Sequence, residues 1–377
     1  MILDEVLGQN GKKGIVIFGV GVFGEDFCKR MKAMHYGELL CFCDNNPQKQ
    51  GEVKFGLDIL SPTDAVTRYK EAYFVITLWN HTRAAKIQLL QLCIREDKIV
   101  IFNQDDYINA KDMHLQRRKD TAYEAWCKKY TGKIAGLKDR FRGKRCFIIG
   151  NGGSLTIEDL ESLQGEYTFG ANRIYMLYGR TWWRPTFYCV YDLLRIRMIR
   201  ENLEEIIDAS DYVFTTAEFK DELPEKYYEH PKFYYLNNVK KKFFPDPPEF
   251  SNDASKIIYD GQTVTFMATQ IAVYMGFREI YFLGMDNHYS AELKQDGSVA
   301  YDQNFKDYPD GMGDIDLKET VIPQIELTTL SFHSTKKFVD EHGIRVVNVT
   351  RGGMLDVFER MSLEDVLEGN GGICDAV

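Results

Sequence analysis

The chain has 377 residues, a formal net charge of −9 and a hydrophobic fraction of 44%, with 24 Phe and 22 Tyr. This length exceeds one ordinary domain, and the composition supplies enough apolar material for two packed cores, which excludes a disordered chain. The acidic balance disfavours nucleic acid as the main partner, because binding to phosphates needs a clustered positive face.

Patterns along the chain disfavour three further classes of protein. The 8 cysteines are scattered without the spacing of zinc ligands, so no metal site is predicted from them. No apolar run reaches the ~20 residues of a membrane span, and the first residues lack the pattern of a signal peptide. We therefore expect a cytoplasmic protein with reduced thiols, whose short basic runs are solvated surface or make peripheral contact with an anionic membrane.

Residues 1–108 are predicted to form a Rossmann-like domain. Short apolar runs alternate there with amphipathic stretches, which is typical of a parallel sheet covered by helices on both faces. The predicted strands are Gly14–Phe18, Leu39–Cys43, Tyr73–Thr77 and Ile99–Phe102, and the predicted helices are Phe23–Met34 and Thr82–Cys93.

A glycine-rich turn links the first strand of this domain to its first helix. Gly19, Gly21 and Gly24 form a GxGxxG pattern, and Asp44 ends the second strand 20 residues after Gly24. Such glycines let the backbone approach a pyrophosphate, and an acid at the end of the second strand binds a ribose. The pattern predicts a site for a dinucleotide or a nucleotide-sugar; the alternative is a nucleotide-type fold that binds no ligand.

The stretch around Asp44 also carries a resemblance. Phe42–Gly51, together with Ser61-Pro62, resembles a small Rossmann domain that is fused to many sugar-modifying enzymes and methyltransferases of surface-polysaccharide pathways. The resemblance covers about residues 12–103 and does not fix a ligand. A dehydrogenase would need a catalytic Tyr-x-x-x-Lys pattern or an acid/base His after this domain, and the sequence offers no convincing one.

Residues 109–142 are predicted to form a helical linker that packs between two domains. Tyr123, Trp126, Cys127 and Tyr130 recur there at helical spacing. The face around Trp126 is a candidate contact in a homo-oligomer.

Residues 143–377 are predicted to form a second α/β domain, so that the chain contains two Rossmann-like domains with mostly parallel sheets. The predicted strands are Arg145–Ile149, Tyr167–Gly170, Phe187–Tyr191, Tyr212–Thr215, Phe233–Leu236, Glu279–Leu283 and Arg345–Asn348. The predicted helices are Ile157–Leu163, Ile196–Ile207, Val264–Met275 and Leu327–Glu341. Ser290–Pro323 has no clear period, which is typical of a functional lid or a partly disordered segment.

A second glycine loop, Gly150-Asn151-Gly152-Gly153-Ser154-Leu155, ends a predicted strand and begins a helix. It offers backbone amides, an Asn amide and a Ser hydroxyl to a phosphate, and it lacks the Lys-Ser/Thr pair of a Walker loop. The loop resembles the GNGPSL signature of bacterial sialyltransferases and motility-associated flagellin glycosyltransferases. The 6-hydroxymethylpterin diphosphokinase-like family shares this signature.

Three further segments follow in the order of these families, so the resemblance covers roughly residues 143–365. They are Thr168–Tyr175, the Thr263–Gly276 helix followed by Arg278–Asp286, and Val346–Arg360. Three departures are visible. Gly153 stands where the signature has Pro, Asp260-Gly261-Gln262 stands where the sialyltransferases have an Arg, and Asn304–Pro323 lacks their base His.

The resemblance implies a transferase that moves a sugar from a nucleotide-activated donor, CMP-linked, to a hydroxyl of a surface glycan, lipid or protein. It places a nucleotide-contacting Asn at Asn172 and an active-site acid at Asp286. The full set of predicted donor-binding residues is Gly150, Asn151, Gly152, Ser154, Asn172, Asp192, Thr263, Thr265 and Tyr308. The candidate catalytic residues are His288 as the base, Asp286 and Asp307, because ligands of open α/β sheets gather at the carboxyl ends of strands.

Two alternatives stay open at this point. The same fold would suit an ATP-dependent diphosphokinase that acts on a small alcohol such as a pterin, and a non-catalytic nucleotide-sugar-binding assembly protein. Asp314-Ile315-Asp316 matches the DxD pattern that holds Mg²⁺ in many glycosyltransferases. In a segment rich in Asp and Gly, this match has little specificity.

Overall fold

The computed structural model describes residues 14–34, 37–78, 82–102, 121–239, 246–293, 299–302, 304–313, 323 and 325–369. The Asp314-Ile315-Asp316 pattern lies outside the described residues. The chain divides into two compact units: unit 1 contains residues 1–121, 291–302 and 315–324, and unit 2 contains residues 122–290, 303–314 and 325–377. The predicted class, two Rossmann-like α/β domains, is confirmed. The predicted domain bounds, 1–108, 109–142 and 143–377, stay a prediction.

The described residues of unit 1 form a six-stranded sheet in the order β3-β4-β2-β1-β5-β6. Its strands are β1 Gly14–Phe18, β2 Glu38–Cys43, β3 Val53–Lys54, β4 Leu57–Leu60, β5 Tyr73–Ile76 and β6 Ile99–Ile101. Its helices are Val22–Met34, Pro62–Tyr69 and Thr82–Gln91. All neighbouring strands are parallel except β3 and β4, which form an antiparallel pair.

Both faces of this sheet are buried, as its continuous apolar strands require. Ile15 and Ile17 of β1 pack on one side with Phe27, whereas Val16 of the same strand packs on the other side with Leu89. The alternation of side chains along a strand produces this division. The helices therefore cover the sheet on two faces.

The described residues of unit 2 form an eight-stranded sheet in the order β11-β10-β9-β8-β7-β14-β17-β18, with every neighbouring pair parallel. Its strands are β7 Arg145–Ile149, β8 Tyr167–Ala171, β9 Phe187–Cys189, β10 Tyr212–Thr216, β11 Phe233–Leu236, β14 Glu279–Leu283, β17 Arg345–Asn348 and β18 Glu359–Arg360. A short parallel pair, β12 Asn238–Val239 and β13 Ile258–Tyr259, accompanies it.

The α-helices of unit 2 are Thr121–Tyr130, Ile157–Ser162, Leu193–Ile199, Leu203–Ala209, Val264–Tyr274, Ile325–Glu341 and Leu363–Leu367. The helix predicted at Ile196–Ile207 is two helices, because a 3-10 turn at Arg200–Asn202 interrupts it. The ring of Trp126 lies 5.2 Å from that of Tyr228 and 5.0 Å from that of Tyr235, so the predicted linker helix packs on unit 2. A homo-oligomer contact there stays a prediction.

The segment predicted to lack regular structure contains an antiparallel hairpin. Its strands are β15 Ala291–Leu293 and β16 Val299–Tyr301, which pair from Ala291↔Tyr301 to Leu293↔Val299. Three-residue strands are too short to produce a readable alternation of apolar and polar residues, which is why the period was not visible.

Candidate functional site

The strand order of unit 2 creates a crevice at the carboxyl ends of β7 and β14. From β7 the sheet continues through β8 to β11 on one side, and β14, β17 and β18 lie on the other. Open α/β sheets bind ligands where the strand order reverses in this way. Ile149 and Leu283, the last residues of β7 and β14, are partners in the ladder. The predicted Gly150–Ser154 loop and Asp286 therefore lie side by side.

A hydrogen-bonded clamp joins these two segments. Asp286 is only 4% exposed, and its carboxylate accepts hydrogen bonds from the Ser154 amide, at 3.0 Å, and from the Ser154 hydroxyl. Its backbone carbonyl accepts from the Met354 amide at 2.7 Å. An ionised carboxylate buried without such donors would cost far more stability than the roughly 2–7 kcal/mol of an unsatisfied neutral polar group. Ser154 and Asp286 thus fix the loop after β7 against the loop after β14.

The backbone of the glycine loop is engaged in the same contact. The amide of Gly150 donates to the Leu283 carbonyl at 2.8 Å, and that of Gly152 donates to the Gly284 carbonyl at 3.0 Å. A Cβ atom on Gly153 would lie 2.0 Å from the Lys306 carbonyl, which explains why glycine replaces the Pro of the signature here. Because these amides and Ser154 already donate within the protein, a phosphate role for them stays a prediction.

Asn151 and Asn172 present a different kind of group to the crevice. The Asn151 side-chain amide donates to the Ala171 carbonyl at 3.0 Å, which leaves its carbonyl oxygen facing away from that contact. This oxygen and the corresponding Asn172 oxygen are buried and have no hydrogen-bond partner among the described residues. Buried polar atoms in native proteins nearly always have a hydrogen-bond partner, so we expect each of these oxygens to accept a hydrogen bond from a donor. A hydroxyl or amino group of a ligand supplies one, and a phosphate oxygen does not.

The candidate catalytic residues lie on the loop after β14 and on the segment 304–313. Asp307 accepts hydrogen bonds from the Ser290 amide, at 2.8 Å, and from the Ser290 hydroxyl, so a second serine–aspartate clamp repeats the first. The His288 ring packs edge-on against Phe305 with 4.4 Å between ring centroids. Asp286 and Asp307 are therefore bound by serines, whereas the His288 imidazole contacts an aromatic ring.

Two tyrosines and two arginines accompany these residues. Burial, assisted by Tyr308 and Asp307 and opposed by Arg195, raises the pKa of the Tyr289 phenol to about 12. The guanidinium of Arg173 lies over the Tyr308 ring, 4.5 Å from its centroid. The Tyr289 phenol therefore stays protonated at neutral pH and is able to donate a hydrogen bond.

Three of the predicted donor-binding residues lie at the N-termini of helices. Asp192 accepts from the Arg195 amide at 2.9 Å and begins the Leu193–Ile199 helix. Thr263 accepts from the Thr265 amide at 3.3 Å and begins the Val264–Tyr274 helix. Because side chains that cap helices also occur where no ligand binds, a role for Asp192, Thr263 and Thr265 in donor binding stays a prediction.

Sequence reasoning missed three residues of this crevice, namely Arg173, Arg195 and Tyr289. Each follows a predicted residue by one to three positions, after Asn172, Asp192 and His288 respectively. A systematic search for polar residues just beyond every predicted strand would have found them, since parallel strands end at the same edge of the sheet.

The predicted loop of unit 1 shows a division of roles among its glycines. A Cβ on Gly24 would lie 1.9 Å from the Gly19 carbonyl, so helix and strand pack closely there, whereas a Cβ on Gly21 would meet no atom within 4 Å. The Asp44 carboxylate accepts from the Val20 amide at 3.0 Å and the Asn46 amide at 2.9 Å. Whether Gly19, Gly21, Gly24 and Asp44 bind a ligand stays a prediction.

The described part of the chain contains no group of three or more His, Cys, Asp or Glu side chains that would hold a metal ion. None of its helices is both long enough and apolar enough to cross a membrane.

Comparisons with solved structures gave matches of low sequence identity. The MAf glycosyltransferase from Magnetospirillum magneticum AMB-1 is 13% identical over 96% of this chain and 60% of its own, with a TM-score of 0.38. A mutant of the alpha-2,3/8-sialyltransferase CstII is 12% identical over 58% of this chain and 87% of its own, with a TM-score of 0.32. UDP-D-quinovosamine 4-dehydrogenase from Vibrio fischeri is 19% identical over 26% of this chain and 86% of its own, with a TM-score of 0.23. The chain thus spans 60% of the length of the Magnetospirillum protein.

Comparison at the level of sequence families is more specific. No curated protein sequence matches the chain. Residues 124–292 match the model of the family described as 6-hydroxymethylpterin diphosphokinase MptE-like. The matched stretch contains the Gly150 loop, Asn172 and Asp286. The resemblance predicted from these motifs is therefore confirmed, and residues 124–292 carry the sequence pattern of the MptE-like family.

Proposed function

We propose that unit 2 transfers a sugar from a nucleotide-activated donor, CMP-linked, to a hydroxyl group of a glycan, glycolipid or protein. The observation that supports this most directly is the pair of buried carbonyl oxygens of Asn151 and Asn172, near the point where the strand order reverses, which have no partner in the described part of the chain. Ribose hydroxyls and the amino group of cytosine are donors of the kind that these oxygens need. The choice of cytidine rests on the resemblance of the Gly150 loop to sialyltransferases.

The proposed reaction is a single displacement. The acceptor oxygen attacks the sugar carbon that carries the phosphate, the bond from that carbon to the phosphate oxygen breaks, and the acceptor proton passes to a base. His288 is the proposed base because an imidazole exchanges protons near neutral pH and because Asp286 and Asp307 are both held by serines. The nucleotide leaves with one additional negative charge. A cytoplasmic location accompanies this proposal and stays a prediction.

Replacing Asn172 with glycine is expected to weaken binding of CMP about tenfold, or about 1.4 kcal/mol. The backbone of Asn172 has a φ of 52°, which glycine adopts without strain, so Asn172→Gly removes the carbonyl oxygen and leaves the backbone unchanged. Calorimetric titration with CMP, CDP, UDP, GDP and ATP measures the effect. Asn252→Gly, at an exposed position, is the matched control. No response of the wild-type protein to any cytidine nucleotide would contradict the proposal.

A second candidate is favoured by the family match at residues 124–292. A diphosphokinase would transfer the terminal diphosphate of ATP to a small alcohol such as a pterin and release AMP. Incubation with ATP, Mg²⁺ and the alcohol, followed by chromatography, separates the candidates, since sugar transfer from a CMP-linked donor releases CMP. Binding of nucleotide-sugar without any turnover would favour the non-catalytic assembly protein.

For unit 1, we propose binding of a dinucleotide or a nucleotide-sugar at the Gly19–Gly24 loop. Gly21→Val is expected to weaken this binding at least about tenfold without changing the melting temperature, because a Cβ there would meet no atom of the described residues within 4 Å. Calorimetry with NAD⁺, NADH and UDP-sugars measures it. The control is Gly179→Val, where a Cβ likewise meets no atom within 4 Å. Equal affinities of both variants and the wild type would disprove the assignment.

A further inference from the structure

Two guanidinium groups at the carboxyl edge of unit 2 have no acidic partner among the described residues. Arg173 directly follows Asn172 after β8, and Arg195 lies in the first turn of the helix after β9. β8 and β9 are neighbours in the sheet, with Ala171 opposite Cys189 at their ends. The 3-10 helix that contains Arg173 packs against the helix that contains Arg195. The two arginines thus belong to adjoining elements on one edge.

The contacts of these arginines leave much of their hydrogen-bonding capacity unused. Arg173 donates from one terminal nitrogen to the Met312 carbonyl, and its Nε is buried without a partner in the described residues. A terminal nitrogen of Arg195 lies 3.8 Å from the Met198 sulfur. Neither forms an ion pair with a carboxylate of the described chain. By contrast, a carboxylate lies within 3.0 Å of each of Arg145, Arg197, Arg345 and Arg351.

The surroundings of the two arginines favour an anion. The Arg173 guanidinium lies over the ring of Tyr308. The Tyr289 phenol lies within electrostatic range of Arg195, Tyr308, Asp307 and Asp286. The carboxylates of this group, Asp286 and Asp307, each accept from the amide and the hydroxyl of a serine, and neither pairs with Arg173 or Arg195. Phenol and guanidinium groups are hydrogen-bond donors, and a guanidinium matches the geometry of a phosphate.

We propose that Arg173 and Arg195 bind the phosphate of the nucleotide donor and offset the negative charge that it gains when the bond to the sugar breaks. This inference rests on the proposed function of unit 2. Under this inference, Arg173 and Arg195 supply positive charge to a site that lacks the arginine of the sialyltransferases, since this sequence has Asp260-Gly261-Gln262 at that arginine's place. It also assigns the phosphate to groups other than the Gly150 loop, whose amides donate within the protein.

The test compares a nucleotide with its nucleoside on the full chain. Calorimetry with CMP, UMP, GMP and AMP, each beside the matching nucleoside, identifies the base that binds. For that pair, Arg195→Gln and Arg173→Gln are each expected to raise the Kd of the nucleotide about 10- to 100-fold and to leave the Kd of the nucleoside unchanged. Arg200→Gln is the control, since Arg200 is exposed one turn further along and lies 3.7 Å from Glu222.

The outcomes separate this inference from the proposed function. If Arg195→Gln and Arg173→Gln bind the nucleotide within twofold of the wild type, the inference is overturned and the proposed function is not. The same holds if these variants lose as much affinity for the nucleoside as for the nucleotide. Failure of the wild type to bind any nucleotide overturns the proposed function and the inference together. Arg195→Lys serves as a second variant in case Arg195→Gln folds poorly. Lysine keeps the positive charge but lacks the planar guanidinium, so its affinity for the nucleotide is expected to lie between those of the wild type and Arg195→Gln.

Discussion

Replacing Gly150 with alanine is expected to lower the free energy of unfolding of unit 2 by about 3 kcal/mol, at the upper end of the cost of overpacking. The added Cβ would lie 2.2 Å from the Gly284 carbonyl oxygen and 2.9 Å from the Met285 sulfur. The Gly150 amide donates to the Leu283 carbonyl at 2.8 Å, so the backbone is unable to retreat without breaking the contact between β7 and β14. Urea unfolding measures the change.

Tryptophan fluorescence is a suitable probe for this experiment, because three of the four tryptophans, Trp126, Trp182 and Trp183, belong to unit 2. The control is Gly132→Ala in the same unit, where a Cβ would meet no atom within 4 Å. Its effect should stay within about 0.5 kcal/mol of the wild type. Similar stabilities of the two variants would show that the loops after β7 and β14 separate easily enough to admit a methyl group.

Replacing His288 with alanine is expected to lower the rate of sugar transfer by about 10²–10⁴, the usual contribution of general base catalysis. Binding of the nucleotide should be unchanged, because the proposed role of His288 is to accept the proton of the acceptor hydroxyl. The measurement is kcat from release of the free nucleotide, with the Kd of the nucleotide determined in parallel.

The control for this experiment is His333→Ala, since His333 is exposed on the Ile325–Glu341 helix. Its kcat should equal that of the wild type. A kcat of His288→Ala within threefold of the wild type would exclude His288 as the base. Asp286 and Asp307 would then remain as candidates, and their serine partners would have to release them during the reaction.

Much of the fold could be predicted because its strands are continuous apolar runs. β7 (Arg145–Ile149) and β14 (Glu279–Leu283) agree with their predicted bounds, since the four buried residues after the charged first residue of each strand form a continuous run. The Pro62–Tyr69 helix was not predicted, although Ser61 caps it and Pro62 begins it. Its 8 residues are too few for the hydrophobic period to stand out against the turn residues before it.

The candidate site was predictable only in part, because contacts between distant residues are invisible to local patterns. Ser154 and Asp286 could each be predicted because each follows the end of a strand. Nothing in the sequence shows that they form a hydrogen bond with each other across 132 positions. The same holds for Ser290 and Asp307, which are 17 positions apart. Local motifs therefore pointed to residues at the strand ends, and the three-dimensional pairing shows which of their groups already bond within the protein.

The hairpin of β15 and β16 determines which pieces of this protein are able to stand alone. Burial and the charge of Asp44 raise the pKa of the Tyr301 phenol, so the last residue of β16 lies within electrostatic range of the acid that follows β2. Unit 1 is therefore encoded in separated stretches of the gene. A fragment that stops at residue 121 would leave Tyr301 behind, and an exchange of the amino-terminal part between related proteins would succeed only if the hairpin travelled with it.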